Sequence, residues 1–384
     1  MVAYVLGLAR TPFVPILGSL AEESSVALAS VALKGALNSG FTPPNLIDKL
    51  ILSQVFTSGV GASPSKQVAN TVGLKDSTRC FQTSQLCTSG LKAISLANDL
   101  IQTGKSHLVA AVGSESSSQA PFLLKKARMN GYGVGDGALI DSLTCDGFSK
   151  LHMDVEEFMQ NAGLSKLAMT QYAAEAFQRT ASCYSDGIMR NEVVHVTVEK
   201  SNKEKAHNDV WISHRQVKLT EDVLYKTFVP NQASPSNIKT KSTMADGAAC
   251  VLLSGGEILR GTGAVPIARI VDCCEVSTAA AAFPCALVSA IKEIQTRTNN
   301  RVDIYDILDQ YAFIPMFVAK ELGIDQSRIN IHGSTLAIGH PMGASGVRQL
   351  IAMVTALRSH GLQFGCIAGV NMMGDSIAIL VEAV

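Results

Sequence analysis

The feature that most limits how this 384-residue chain folds is that its two ends repeat one another. A repeat constrains more than a local motif does, because each copy must form the same unit and bury its apolar face against a neighbour. Cys87-Thr-Ser-Gly-Leu-Lys-Ala-Ile-Ser-Leu-Ala97 echoes Gly343-Ala-Ser-Gly-Val-Arg-Gln-Leu-Ile-Ala-Met353. Both carry Ser-Gly, an aliphatic residue, a cation and then apolar positions at helical period. The run Leu108-Val-Ala-Ala-Val-Gly113 ends 24 residues after Ser89, and Phe364-Gly-Cys-Ile-Ala-Gly369 ends 24 after Ser345. Each reads as a buried strand. Upstream, Asp48-Lys-Leu-Ile-Leu52 begins 41 residues before Ser89 and Asp303-Ile-Tyr-Asp-Ile-Leu308 begins 42 before Ser345. Downstream, Ala245-Asp-Gly-Ala-Ala-Cys-Val-Leu-Leu253 resembles Gly374-Asp-Ser-Ile-Ala-Ile-Leu-Val-Glu382. Four matches in one order, at nearly equal spacing, predict two halves of the same α/β topology.

The same spacing locates an insertion. Gly369 is 6 residues from Asp375, whereas Gly113 is 133 from Asp246. The expected organisation is therefore a first half over 1–114, an inserted loop domain over 115–240, the last strand of the first half over 241–256, and a second half over 257–384. Within the insertion, Val155–Ala162 and Lys166–Arg179 have helical patterns. Gly131-Tyr-Gly-Val-Gly-Asp-Gly137 lacks the preceding strand and following helix of a phosphate loop, and reads as a plain loop.

Charge balance narrows the functional classes. Lys+Arg and Asp+Glu both number 32, so nothing marks a nucleic-acid or anionic-membrane surface. No apolar stretch reaches the ~18 residues that span a bilayer. A 47% hydrophobic content excludes disorder. The cysteines number 9, an odd count without paired CxxC spacing, which argues against a zinc site and for reduced thiols. Met1–Arg10 reads as a first strand rather than a signal peptide. The expectation is a soluble intracellular protein of a reducing compartment, mitochondrial or cytosolic, ending in Glu382-Ala-Val384 rather than a peroxisomal signal.

Cys87 falls where a helical pattern begins, so its sulfur is expected near unpaired N–H groups that favour thiolate and would receive an oxyanion. A small buried hydrophobe is the alternative. His340, in Ile338-Gly-His-Pro-Met-Gly-Ala-Ser345, is placed by the repeat at the mouth of the matching helix. Cys366 lies near the end of the second repeat's strand. Together the three suit covalent acyl transfer, with His340 activating the sulfur and Cys366 moving a proton on and off carbon.

With these residues in place, the chain resembles the thiolase family along nearly its whole length. The resemblance rests on Arg10-Thr-Pro-Phe13, Gln85-Leu-Cys-Thr-Ser-Gly-Leu-Lys-Ala93, Gly113-Ser-Glu-Ser116, Leu151-His-Met153, Ser242-Thr-Met-Ala-Asp-Gly-Ala-Ala249, Gly339-His-Pro-Met-Gly-Ala-Ser-Gly346 and Gly365-Cys-Ile-Ala-Gly369. It implies a five-layered α-β-α-β-α fold of two pseudo-symmetric halves with an inserted loop domain. It also implies acylation of Cys87 by an acyl- or 3-ketoacyl-coenzyme A, activation by His340, and acid/base work by Cys366 in Claisen condensation or its reverse. Ser242 and the His152-Met153 pair fall where the family's loop domain lines the pantetheine channel. Arg215 and Lys218 are candidates for the nucleotide phosphates, with a solvated loop as the alternative. Coenzyme A is then a substrate, no further cofactor or metal is implied, and a homodimer is expected because thiolases commonly dimerise.

Two departures from the family matter. Its Asn-Glu-Ala-Phe motif (His-Asp-Cys-Phe in sterol-carrier-protein-type thiolases) puts its first residue on Leu308 without gaps, or on Gln310 with a two-residue gap. Leucine cannot polarise a thioester oxygen, and loss of one such donor costs on the order of 100- to 1000-fold in turnover. Cys366-Ile-Ala-Gly-Val370 replaces Cys-x-Gly-Gly-Gly, leaving the backbone N–H of Ala368 as the expected oxyanion donor. Slow thiolytic cleavage or acyl transfer is the leading expectation, and a non-catalytic acyl-coenzyme A binder the alternative. A ketosynthase-like enzyme is disfavoured, because His332 is the only further histidine near the centre.

Overall fold

A computed structural model describes residues 1–129, 131–147, 154–199, 207–208, 239–299 and 302–384. The repeat is visible in strand directions. In the first half, β1 (Ala3–Arg10), β2 (Lys49–Ser53), β3 (Arg79–Thr83), β4 (Leu108–Ser116) and β5 (Ala245–Ser254) lie in the order β1-β5-β4-β2-β3. In the second, β6 (Ala268–Ser277), β7 (Ile304–Ile307), β8 (Phe364–Val370) and β9 (Asp375–Ala383) lie in the order β6-β9-β8-β7. Each half starts with two antiparallel pairings and continues with parallel ones. A single parallel bridge between Tyr305 and Ile329 stands where the first half has β3. The halves join edge to edge through antiparallel β1 and β6, with Ala3 opposite Ile270 and Val5 opposite Ala268.

Helices cover both faces, as parallel strands buried on two sides require. Outside the first half lies α1 (Ser25–Ser39), started by the Ser24 side chain accepting from the Ala27 N–H at 3.1 Å. Outside the second lie α3 (Phe283–Arg297) and α4 (Phe313–Leu322). Between the halves run α2 (Ser89–Gln102) and α5 (Met342–His360). The result is the five-layered α-β-α-β-α arrangement. Three apolar cores follow: one between the half-sheets around α2 and α5, one under α1, and one under α3 and α4. In α5 every residue from Met342 to Val354 is buried, so it is an interior helix rather than an amphipathic surface one.

The two central helices touch near their first turns. A Cβ on Gly90 would stand 2.7 Å from the Val347 nitrogen, and one on Gly346 would stand 2.3 Å from the Leu91 nitrogen. Neither backbone can retreat within a packed interior. This contact brings the first turns of both helices together, with Cys87 just upstream of one in sequence and His340 just upstream of the other.

The inserted segment leaves after β4 and returns as β5, which pair directly, Gly113 opposite Ala249. Its helices span Val155–Asn161 and Lys166–Ser185, capped by Asp154 and Ser165. The second therefore runs six residues beyond the Arg179 limit set by its sequence pattern. Both pack on the second half: the Phe158 ring lies 4.9 Å from Phe317, and Arg179 donates to the Ile329 carbonyl at 2.8 Å. The glycine-rich stretch is exposed loop at its described positions.

The Gly346→Ala variant is expected to lose about 1–3 kcal/mol or more by overpacking the central crossing. A urea titration with a lowered midpoint and unchanged slope is the check.

Candidate active site

The turn before α2 presents Cys87. Leu86 sits at a φ of 51°, a left-handed conformation costly for a residue with a branched γ-carbon, and this sharpens the turn at the sulfur. The turn is held from the other half of the molecule. Asn371, in the loop after β8, donates to the Gln85 carbonyl at 3.1 Å and to Asp375 at 3.1 Å. Sequence reading missed Asn371. Its only signal was its position one residue past the end of the repeated strand.

The walls around Cys87 are apolar. Phe56, Leu308 and Met342 pack with it as a buried group, with Val55, Ala120 and Leu143 partly buried alongside. Gly147 of the inserted segment closes on the same walls; a Cβ there would stand 2.5 Å from the Phe56 ring and 2.7 Å from the Met342 methyl. Cys87 itself is 3% exposed. Burial therefore decides its ionisation and pushes the thiol up to about 12, against the opposing pull of its own backbone N–H and of Lys241. The sequence placed this sulfur near unpaired N–H groups that favour thiolate; in the fold, burial is the largest influence on it and favours the neutral thiol.

His340 is fixed by three contacts. Gly339 before it has φ 95°, with no room for a Cβ beside Ala245, and the His340 N–H donates to the Thr243 carbonyl at 2.8 Å. Nδ1 lies 2.7 Å from Ser345 Oγ, whose own proton goes to the Pro341 carbonyl at 2.9 Å. The hydroxyl is thus an acceptor towards the ring, so Nδ1 carries the hydrogen and Nε2 the lone pair. Nε2 is buried and has no hydrogen-bond partner among the described residues. Burial, with Arg348 adding to it, drives the imidazole down to about 3. It is a neutral base with a free lone pair.

Glu115 at the end of β4, also missed, ties the two sides together. Its carboxylate accepts from the N–H groups of Val55 at 3.1 Å, Phe56 at 3.0 Å and Gly343 at 3.0 Å, the last in the first turn of α5. Burial nevertheless raises it to about 7. Asp309 does similar work for the segment after β7. It accepts from Ser334, from Thr335 at 2.8 Å and from the Leu336 N–H at 3.3 Å, linking Leu308–Gln310 to the stretch that leads into His340.

The other expected residues divide. Ser242 lines an open pocket of about 580 Å³ with Ile16, Leu143, Thr144, Lys241 and Met244, and Leu143 is shared with the Cys87 wall. Its hydroxyl donates to the Asp309 carbonyl at 3.3 Å. His152, Met153, Arg215 and Lys218 lie outside the described residues. Leu308 packs in the Cys87 group, whereas Gln310 donates to the Val370 carbonyl at 2.7 Å and keeps a buried, unpartnered Oε1.

Cys366 is not where the sequence reading put it. It lies inside β8, opposite Tyr305 and Leu380, in the core beneath α3 and α4 and with no exposed surface. The strand ends at Val370, four residues or roughly 13 Å further along at ~3.3 Å per residue, and it is the next residue, Asn371, that bonds the Cys87 turn. The repeat had aligned Gly365-Cys366 with the strand correctly, but the strand continues past the point at which a thiol would meet the site. Ala368 is likewise an interior strand residue, paired with Ile307 and Ala378 and fully buried, not an oxyanion donor at a pocket.

The chain matches the family models described as "Thiolase, N-terminal domain" over residues 3–257 and "Thiolase, C-terminal domain" over 264–383. A "Probable acetyl-CoA acetyltransferase" of Mycolicibacterium smegmatis is 30% identical over 97% of this chain and 98% of its own. An "Acetyl-CoA acetyltransferase, mitochondrial" of Rattus norvegicus is 26% identical over 98% of this chain and 90% of its own. Among solved structures, the Acat5 thiolase from Ascaris suum in complex with coenzyme A superposes with a TM-score of 0.86 at 26% identity, covering 100% of both chains.

With its thiol pushed to about 12, Cys87 is expected to alkylate with iodoacetamide at a rate rising about tenfold per pH unit from pH 7 to 10. Peptide mapping of the label follows it, and a plateau below pH 8 would contradict the neutral resting thiol.

Proposed function

Because the chain belongs to the thiolase family, we propose that it is an acyltransferase acting on acyl-coenzyme A thioesters through a Cys87 acyl-enzyme. The observation that supports this reading is the buried, neutral His340 Nε2, without a hydrogen-bond partner among the described residues, just upstream of α5, whose first turn crosses that of α2 just after the buried Cys87 thiol. A buried ring nitrogen without a partner is costly in a finished core, and a reacting group that takes a proton explains it. Attack of Cys87 on the thioester carbon transfers the thiol proton to Nε2, so charge develops only as the sulfur–carbon bond forms. Ser345 holds the ring in the tautomer that accepts it.

The thioester enters by the pocket beside Ser242, whose edge Leu143 continues into the Cys87 wall. Coenzyme A is bound as substrate, and its arm is assigned to the inserted segment, with His152 and Met153 on the pantetheine and Arg215 and Lys218 at the phosphates. A homodimer in a reducing compartment, mitochondrial or cytosolic, completes the proposal. All nine cysteines are free, which suits such a compartment.

Transfer of acetyl from acetyl-coenzyme A to a second thiol is expected to fall to background in Cys87→Ala and by about 100- to 10,000-fold in His340→Ala. Single-turnover trapping of an acetylated Cys87 peptide by mass spectrometry checks the intermediate, and undiminished transfer in Cys87→Ala would overturn the reading.

A further inference from the structure

We propose that His332 and His360 form a binding site for a divalent transition cation of the zinc or copper class, in a pocket that shares no lining residue with the one beside Ser242. The Nε2 atoms of the two rings are 3.1 Å apart and the ring centroids 5.3 Å. Two neutral imidazoles meet in this way through a single N–H···N bond, or with both lone pairs on one ion. Zinc–nitrogen bonds of about 2.0–2.1 Å at a tetrahedral angle hold two nitrogens roughly 3.3 Å apart, so an ion enters with little movement of either ring. On binding, the ring that donated the hydrogen bond gives up its Nε2 hydrogen and takes one on Nδ1. Both Nε2 lone pairs then go to the metal, with no net release of protons and no redox change. His332 is 5% exposed, and burial pushes its imidazole down against the pull of Glu192, which favours the neutral ring a metal needs.

The turn that carries His332 is fixed before any ion arrives. Asn330 accepts from the Ile307 N–H at 2.7 Å and donates to the Ile307 carbonyl and the Tyr172 hydroxyl, each at 2.9 Å. Gly333, at φ 83°, leaves no room for a Cβ beside Thr180. Tyr172 and Thr180 belong to the inserted helix Lys166–Ser185, whereas His360 is the exposed last residue of α5. The two rings therefore meet where the insertion, the second half and the end of α5 converge, in an open pocket of about 400 Å³. Its charges favour a cation over an anion. Glu175 and Asp186 line it, while Arg179 is held by the Ile329 carbonyl at 2.8 Å and by Glu175 at 3.2 Å. Nitrogen donors select zinc or copper over magnesium or calcium, which take oxygen. Cys183 in the same wall is a neutral thiol, pushed up to about 12 by burial and by Glu192 and Asp186, and is not assigned as a ligand. Among the described residues no group of three histidines, cysteines or carboxylates forms a closed cage. The site is thus of the open, exchangeable kind, and a bound ion ties the end of α5 to the turn at His332.

The test uses the full chain at neutral pH. Zinc chloride is titrated by calorimetry, and the copper(II)-loaded protein is read by electron paramagnetic resonance for its coordinated imidazole nitrogens. The expected result is saturable binding of zinc that weakens by about 10- to 100-fold or more in His360→Gln and in His332→Gln. The copper spectrum is expected to show two imidazole nitrogens in the wild type and one in each variant. His360→Gln alters an exposed helix end and so removes a ligand without disturbing the core; it decides the matter alone should His332→Gln not fold. Zinc affinity unchanged in His360→Gln, a copper spectrum without the two-imidazole pattern, or no saturable binding of zinc would each overturn the proposal. None of these outcomes touches the acyltransferase reading, whose assays do not involve this pocket.

Discussion

The crossing of two interior helices at Gly90 and Gly346 is the constraint on which the rest depends. Two interior helices from equivalent halves cross where neither has a side chain, so their first turns meet. The half-sheets then close on both sides of the pair, and the outer helices cover what remains. Cys87 stands just upstream of one of these helices and His340 just upstream of the other. Glu115 and Asn371 reinforce this from opposite sides, one bonding the start of α5, the other the turn before α2.

Burial governs the electrostatics of the centre. A helix mouth stabilises an anion by a modest amount, whereas removal of a thiolate from water costs far more in a site walled by Phe56, Leu308 and Met342. The same desolvation keeps His340 neutral. A neutral pair with a directed lone pair suits a reaction in which charge appears only during bond formation. Asp309 and Glu115 fasten backbone segments to each other.

Much of this architecture was legible in the chain. The pairing of Ser89-Gly90 with Ser345-Gly346 and the gap between Gly113 and Asp246 anticipated the topology and the return of the chain to pair β5 with β4. Less legible were groups whose role comes from long-range hydrogen bonds. Asp309 is one unremarkable acid among many until Thr335 and Leu336 fold onto it. The register around Leu308 was likewise open, because a two-residue gap satisfies the pattern equally well; in the fold Leu308 faces the sulfur and Gln310 turns to Val370.

What the sequence by itself determined is periodic and local: which segments are strands and interior helices, that they occur twice, and which residues stand at helix starts. Period and repeat survive in one dimension because each unit must bury the same faces. What only the tertiary structure decided is depth. Cys366 and Val370 lie on the same strand and the same face, and no one-dimensional pattern tells which of them ends beside the site. Strand length past the neighbouring β7, and the layer closed over it by α3, put the thiol in a sealed core, while the strand runs on through Val370 to Asn371, which bonds the Cys87 turn.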